Sequence, residues 1–138
     1  MYDALSNLNW LAVALATLAY YLLGALWFTP LFGRTWDHSI GVERSRTRAF
    51  GAAYYVIPLV SALLTSLAVA MLITALGPGS IWESIGVGAA IGITAAAISV
   101  NNGLTPHTPH PFVFGAVTGG YHLVGIMIVS AIVGAFAV

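Results

Sequence analysis

A chain of 138 residues that is 59 % hydrophobic and 6 % charged cannot coat a water-soluble domain, because soluble domains carry roughly 25 % charged residues. Its net charge of zero excludes the basic surface that nucleic acid binding requires. The absence of cysteine excludes disulfides, thiolate zinc sites and cysteine nucleophiles, which leaves one lipid-solvated domain over residues 1–138.

A membrane span needs about 20 mostly apolar residues, and four segments qualify. The opening Met-Tyr-Asp-Ala-Leu lacks the positive start of a secretory signal, so the first apolar segment is expected to be retained. The first span is predicted over 9–28, closed by Thr29-Pro30 and Gly33. The second is predicted over 49–76, closed by the strong turn signal Gly77-Pro78-Gly79. The third is predicted over 81–103, stopped by Thr105-Pro106, and the fourth over 112–138. The runs show no period-two alternation and are too long for barrel staves. The fold class is therefore an all-α integral membrane protein, with four transmembrane helices in a compact bundle.

Charge sets the expected orientation. The loop 29–48 holds Arg34, Asp37, Glu43, Arg44, Arg46 and Arg48, and no other arginine or lysine occurs. Basic loops stay on the cytoplasmic side, so loops 29–48 and 104–111 are expected inside and both termini outside. Trp10 and Trp82 then mark the outer interface, and Trp27 and Trp36 the inner one. Arg44, Arg46 and Arg48 are expected to contact anionic lipid headgroups, each worth about 1 kcal/mol. The two hairpins share Thr-Pro (Thr29-Pro30, Thr105-Pro106) and Phe-Gly-Ala (Phe50-Gly51-Ala52, Phe114-Gly115-Ala116). A parallel duplication is one reading of these short matches and chance is the other.

Helices in lipid associate through close backbone approach and polar contacts. Gly88 and Gly92 form a Gly-xxx-Gly pair on the third span, and Gly115 and Gly119 repeat it on the fourth, joined by Gly125. These positions are expected to pack helices within one bundle, and the surplus of small residues on the fourth span also fits a homo-oligomer. On the second span, Pro58 deprives the Tyr54 carbonyl of its helical partner, and Tyr54, Ser61 and Thr65 share its stripe. Those hydroxyl groups either bond back to their own helix or line a polar seam.

His122 stands about 15 Å into the fourth span, near the midplane, where ionisable side chains are costly and face the bundle interior. Thr118 shares its face and Tyr121 precedes it. The ring is expected either to hydrogen-bond Tyr54 or a serine, or to serve as a proton-relay or solute-binding group; a porphyrin ligand is the remotest reading. Asn101 and Asn102 either cap the third helix or frame a polar vestibule. The loop Thr-Pro-His-Thr-Pro-His-Pro reads as polyproline-like and sets His107 and His110 about 9 Å apart. One metal cannot take both unless a turn folds them together, or His38 joins from the other loop. No metal site and no cofactor is therefore predicted.

The run Gly24-Ala-Leu-Trp-Phe-Thr-Pro-Leu-Phe-Gly-Arg-Thr-Trp36 resembles the first-span signature of the small bacterial membrane proteins grouped as DUF1761. The opening Asn9-Trp-Leu-Ala-Val13 is similar to theirs, as is the closing Thr118-Gly-Gly-Tyr-His-Leu-Val124 followed by Ala131-Ile-Val-Gly134. The chain carries Thr118 where the family's closing motif has Asn, and its histidine–proline loop is atypical. The resemblance implies a four-span inner-membrane protein and no activity, so no catalytic residue is carried over. Two functions stay open. One is an oligomeric protein that binds or passes a small solute or proton through a seam of His122, Tyr121, Thr118, Tyr54, Ser61, Thr65, Asn101 and Asn102. The other is a structural or accessory subunit of a larger membrane complex. An enzyme is the weakest option, because Asp3, Asp37, Glu43 and Glu83 all fall at interfaces, away from any intramembrane acid–base chemistry.

Overall fold

The computed structural model describes residues 7–43 and 51–137. Arg44, Arg46 and Arg48, with their expected headgroup contacts, lie outside the described residues. Among the described residues five α-helices follow in chain order: α1 (Trp10–Leu26), α2 (Gly33–Ser39), α3 (Ala53–Leu76), α4 (Ile81–Gly103) and α5 (Pro111–Ala137). Among the described residues there is no strand. Four stretches of the described residues are long and apolar enough to cross a membrane: Trp10–Leu31, Ala53–Leu76, Ile81–Gly103 and Pro111–Ala137. The helices meet loops at two ends, here called the turn end (around 77–80) and the loop end (around 40 and 104–110).

Local chemistry sets the helix ends. The Asn9 side chain accepts from the Ala12 N–H at 3.1 Å, an N-cap that satisfies one orphan donor of α1. Gly77 closes α3 with φ +57° and donates its N–H to Ile73 O, a left-handed cap that glycine adopts without steric cost. Ser80 opens α4 by accepting from Glu83 N–H at 3.2 Å, while Glu83 Oε2 reaches back to Gly79 N–H at 2.9 Å.

The first span does not stop at residue 28. Thr29-Pro30 lies inside a π-helical turn, Trp27–Leu31, which carries the span one turn further. Proline has no N–H to give the carbonyl four residues back, and a wider turn absorbs this defect. Phe32 N–H then bonds Trp27 O at 2.8 Å, and α2 begins one residue later. The segment 29–39, expected as loop, is therefore largely helical.

Helix α5 touches α1, α3 and α4, so it is the axis of the bundle. Its Ile126, Val129 and Val133 join Val13, Ala16 and Tyr20 of α1 and Ala62, Val69, Ala70 and Ile73 of α3 in one core. Helix α4 packs chiefly on the other side of α5 and scarcely meets α3. Only 17 % of its most apolar window is buried, against 28 to 33 % for the other spans, which makes it the peripheral member.

Glycines make the α4–α5 seam. A Cβ on Gly92 would lie 2.9 Å from the Leu123 backbone, one on Gly115 2.7 Å from that of Val100, and one on Gly119 3.0 Å from that of Ala96. One on Gly88 would run into the Ser130 side chain. Approach this close maximises dispersion contacts where no hydrophobic exclusion acts between helices. The equivalent Phe-Gly-Ala positions of the two hairpins differ. Gly115 is enclosed inside α5, whereas Gly51 precedes α3 with nothing near it.

Candidate functional site

Midway along the antiparallel pair α1–α5, the Tyr20 hydroxyl and His122 Nδ1 are 2.6 Å apart. The register follows from glycine. Gly125 lies flat against the Tyr20 ring, where a Cβ would collide with it, and Gly24 lies 3.1 Å (as a Cβ) from the Tyr121 hydroxyl. Each glycine admits an aromatic ring from the facing helix, so one bulky side chain from each helix, Tyr20 and Tyr121, interdigitates with the other.

Around this bond an aromatic column runs toward the loop end. Tyr20 stacks on Tyr121 with centroids 5.0 Å apart, and Tyr121 meets His122 at 4.9 Å and Phe28 edge-on at 5.1 Å. Phe28 meets Trp36 of α2 at 5.7 Å. The Trp27 indole N–H donates to Val117 O at 2.9 Å, while its ring covers Phe32. The column ties α1, the π turn, α2 and α5 together. The Tyr20 hydroxyl, the Trp27 indole and the Tyr121 hydroxyl, which donates to Tyr20 O at 3.4 Å, each find a partner, as a low-dielectric setting favours.

Of the seam residues expected from sequence, His122 and Tyr121 belong to this cluster. Thr118 lies one turn from His122 toward the loop end, with a buried Oγ1 that has no hydrogen-bond partner. The second-span residues lie elsewhere. Tyr54 is 52 % exposed with its ring against Tyr55, Ser61 is exposed and Thr65 half-buried. Every residue from 51 to 61 is exposed, so the first turns of α3 stand clear of the bundle. Tyr54 is eight residues, roughly 12 Å of rise, before Ala62, the first buried residue of that helix. The partner of His122 is therefore Tyr20, not Tyr54. Asn101 and Asn102 occupy the last turn of α4 and are exposed, with Leu104 as the C-cap.

Tyr20, Gly24 and Trp27 were not among the sequence candidates. Their signal is spacing: four and then three residues put all three on one face of the first span, a face with a phenol, a gap and an indole rather than aliphatic side chains.

Two cavities, each of about 270 Å³, lie away from this cluster. One opens at the turn end between Asn9, Thr74 and Phe136, and the other is an apolar groove between α4 and α5 at Ile85 and Met127. Neither is lined by His122. Among the described residues no group of three or more His, Asp or Glu side chains is placed to hold a metal ion.

Four long apolar helices among the described residues define an all-helical, multi-pass membrane protein. The chain belongs to the family described as "Protein of unknown function (DUF1761)", which matches residues 11–134. No curated protein and no solved structure matches it.

Proposed function

We propose that the chain is a structural or accessory subunit of a membrane assembly and moves no solute of its own. The Tyr20–His122 hydrogen bond carries this reading. The imidazole Nδ1 is taken up in joining α1 to α5, and neither of the two cavities is lined by His122. The peripheral α4, with 17 % of its most apolar window buried, supplies a face for a neighbouring subunit, and a second copy is the simplest such neighbour. Cross-linking in native membranes followed by affinity capture tests the reading. A stoichiometric membrane partner or a defined homo-oligomer supports it, and a monomer that dissipates an imposed proton gradient in proteoliposomes overturns it.

In the same reading the protein sits in a bacterial inner membrane with the arginine-bearing loop inside and both termini outside, against anionic headgroups. A second function, passage of a proton or small solute, draws support from one observation. Thr118 Oγ1 is buried without a partner one turn from His122, and the half-buried imidazole has a second nitrogen for a further contact. Proton flux that is lost on His122→Ala substitution would favour it.

A further inference from the structure

The sequence set one condition for metal chemistry at the histidine–proline loop: the other loop must bring His38 to it. The two loops touch. His110 N–H donates to Ser39 O at 3.1 Å, joining the start of α5 to the end of α2. Ser39 is fully buried, and its hydroxyl donates to Trp36 O at 2.6 Å. Gly41, at φ +69°, lies under Pro109 so closely that a Cβ would stand 3.1 Å from the proline ring. Within this clasp the imidazoles of His38 and His110 lie face to face, with centroids 4.4 Å apart and planes 21° apart. Both side chains are exposed.

We propose that His38 and His110 form a two-imidazole site for a divalent transition cation of the Zn²⁺, Cu²⁺ or Ni²⁺ class. Imidazole nitrogen suits these borderline ions, and two metal–nitrogen bonds of about 2.0–2.1 Å span up to about 4 Å between nitrogens. Rings this close reach that span by turning about their terminal torsions, which are soft in histidine. Water completes the coordination, since no third His, Asp or Glu among the described residues is placed with them. The backbone bond from His110 to Ser39 fixes both Cα positions, so the pair is held in place before the ion arrives. Binding then clips the α2 end to the α5 start and braces the loop end of the bundle.

The test uses the full chain, free of any histidine tag, in detergent micelles and titrated with Zn²⁺. Submillimolar binding of one ion per chain is expected, weakened by about tenfold or more in His38→Asn and in His110→Asn and little changed in His107→Asn. Binding that survives both substitutions, or no binding below millimolar Zn²⁺, overturns the site. A measurement on the unaltered protein guards against misfolded variants. Zn²⁺ should suppress diethyl pyrocarbonate modification of His38 and His110 but not of His107, and equal modification of all three with and without Zn²⁺ overturns the proposal.

Discussion

The Tyr20 hydroxyl and His122 Nδ1 sit 2.6 Å apart across 102 residues of chain, and they fix the register of the first span on the last. Interhelical hydrogen bonds in membranes average about 0.6 kcal/mol and reach about 1.7 kcal/mol. A short phenol–imidazole bond inside an aromatic cluster belongs at the upper end. Tyr20→Phe, His122→Ala and the double variant, unfolded in mixed micelles, should give a coupling energy of about 1–2 kcal/mol. Strict additivity would mean that the two groups do not interact.

That bond shows what the sequence could and could not reveal. Hydropathy and turn residues define spans, so the third span was expected over the residues it occupies, Ile81–Gly103. His122 was singled out because an imidazole in mid-bilayer is costly wherever it lies. Its partner is a matter of which helices touch, and no periodicity within one span reports that. The polar stripe of Tyr54, Ser61 and Thr65 pointed to the second span, yet Tyr54 is 52 % exposed. Pro30 misled in a simpler way. In sequence it signals a stop, whereas a π turn carries the helix through it.

The glycines separate into two kinds, and substitution should tell them apart. Gly115→Ala places a methyl against the Val100 backbone, and Gly125→Ala drives one into the Tyr20 ring. The Val100 backbone cannot yield, and the Tyr20 ring is held by its bond to His122 and its stack on Tyr121, so each should lose about 1–3 kcal/mol, the usual cost of overpacking. Gly86, also helical, has open space around it. Gly86→Ala should be neutral, or stabilising by up to about 1 kcal/mol through helix propensity. Thermal melts of the three variants decide the matter, and equal melting points for all would remove the close-packing account of the seams that α5 makes with α4 and α1.

Orientation is open to direct measurement because the chain has no cysteine. Single cysteines at Gly79, in the α3–α4 turn, and at Thr105, in the α4–α5 loop, lie at opposite ends of the bundle. Both positions are exposed. If the arginines hold their loop inside, as the proposed orientation requires, an impermeant maleimide applied to intact cells should label Gly79→Cys and reach Thr105→Cys only after permeabilisation. The reverse pattern would invert the topology.

Trp27 tests whether the π turn is anchored or merely tolerated. Its indole N–H bonds Val117 O at 2.9 Å, and its ring lies 4.6 Å from that of Phe32. Trp27→Phe keeps an aromatic ring against Phe32 and removes the donor. One hydrogen bond is worth about 0.5–1.5 kcal/mol net, so global stability should fall by about 1 kcal/mol. The local effect is the sharper readout. Without that tie, amide exchange at Phe32, whose N–H closes the wide turn onto Trp27 O, should quicken more than exchange in the α4–α5 seam, because the turn would open without unfolding the bundle. Uniform quickening across all helices would instead mean that Trp27 stabilises the fold as a whole and the turn needs no anchor.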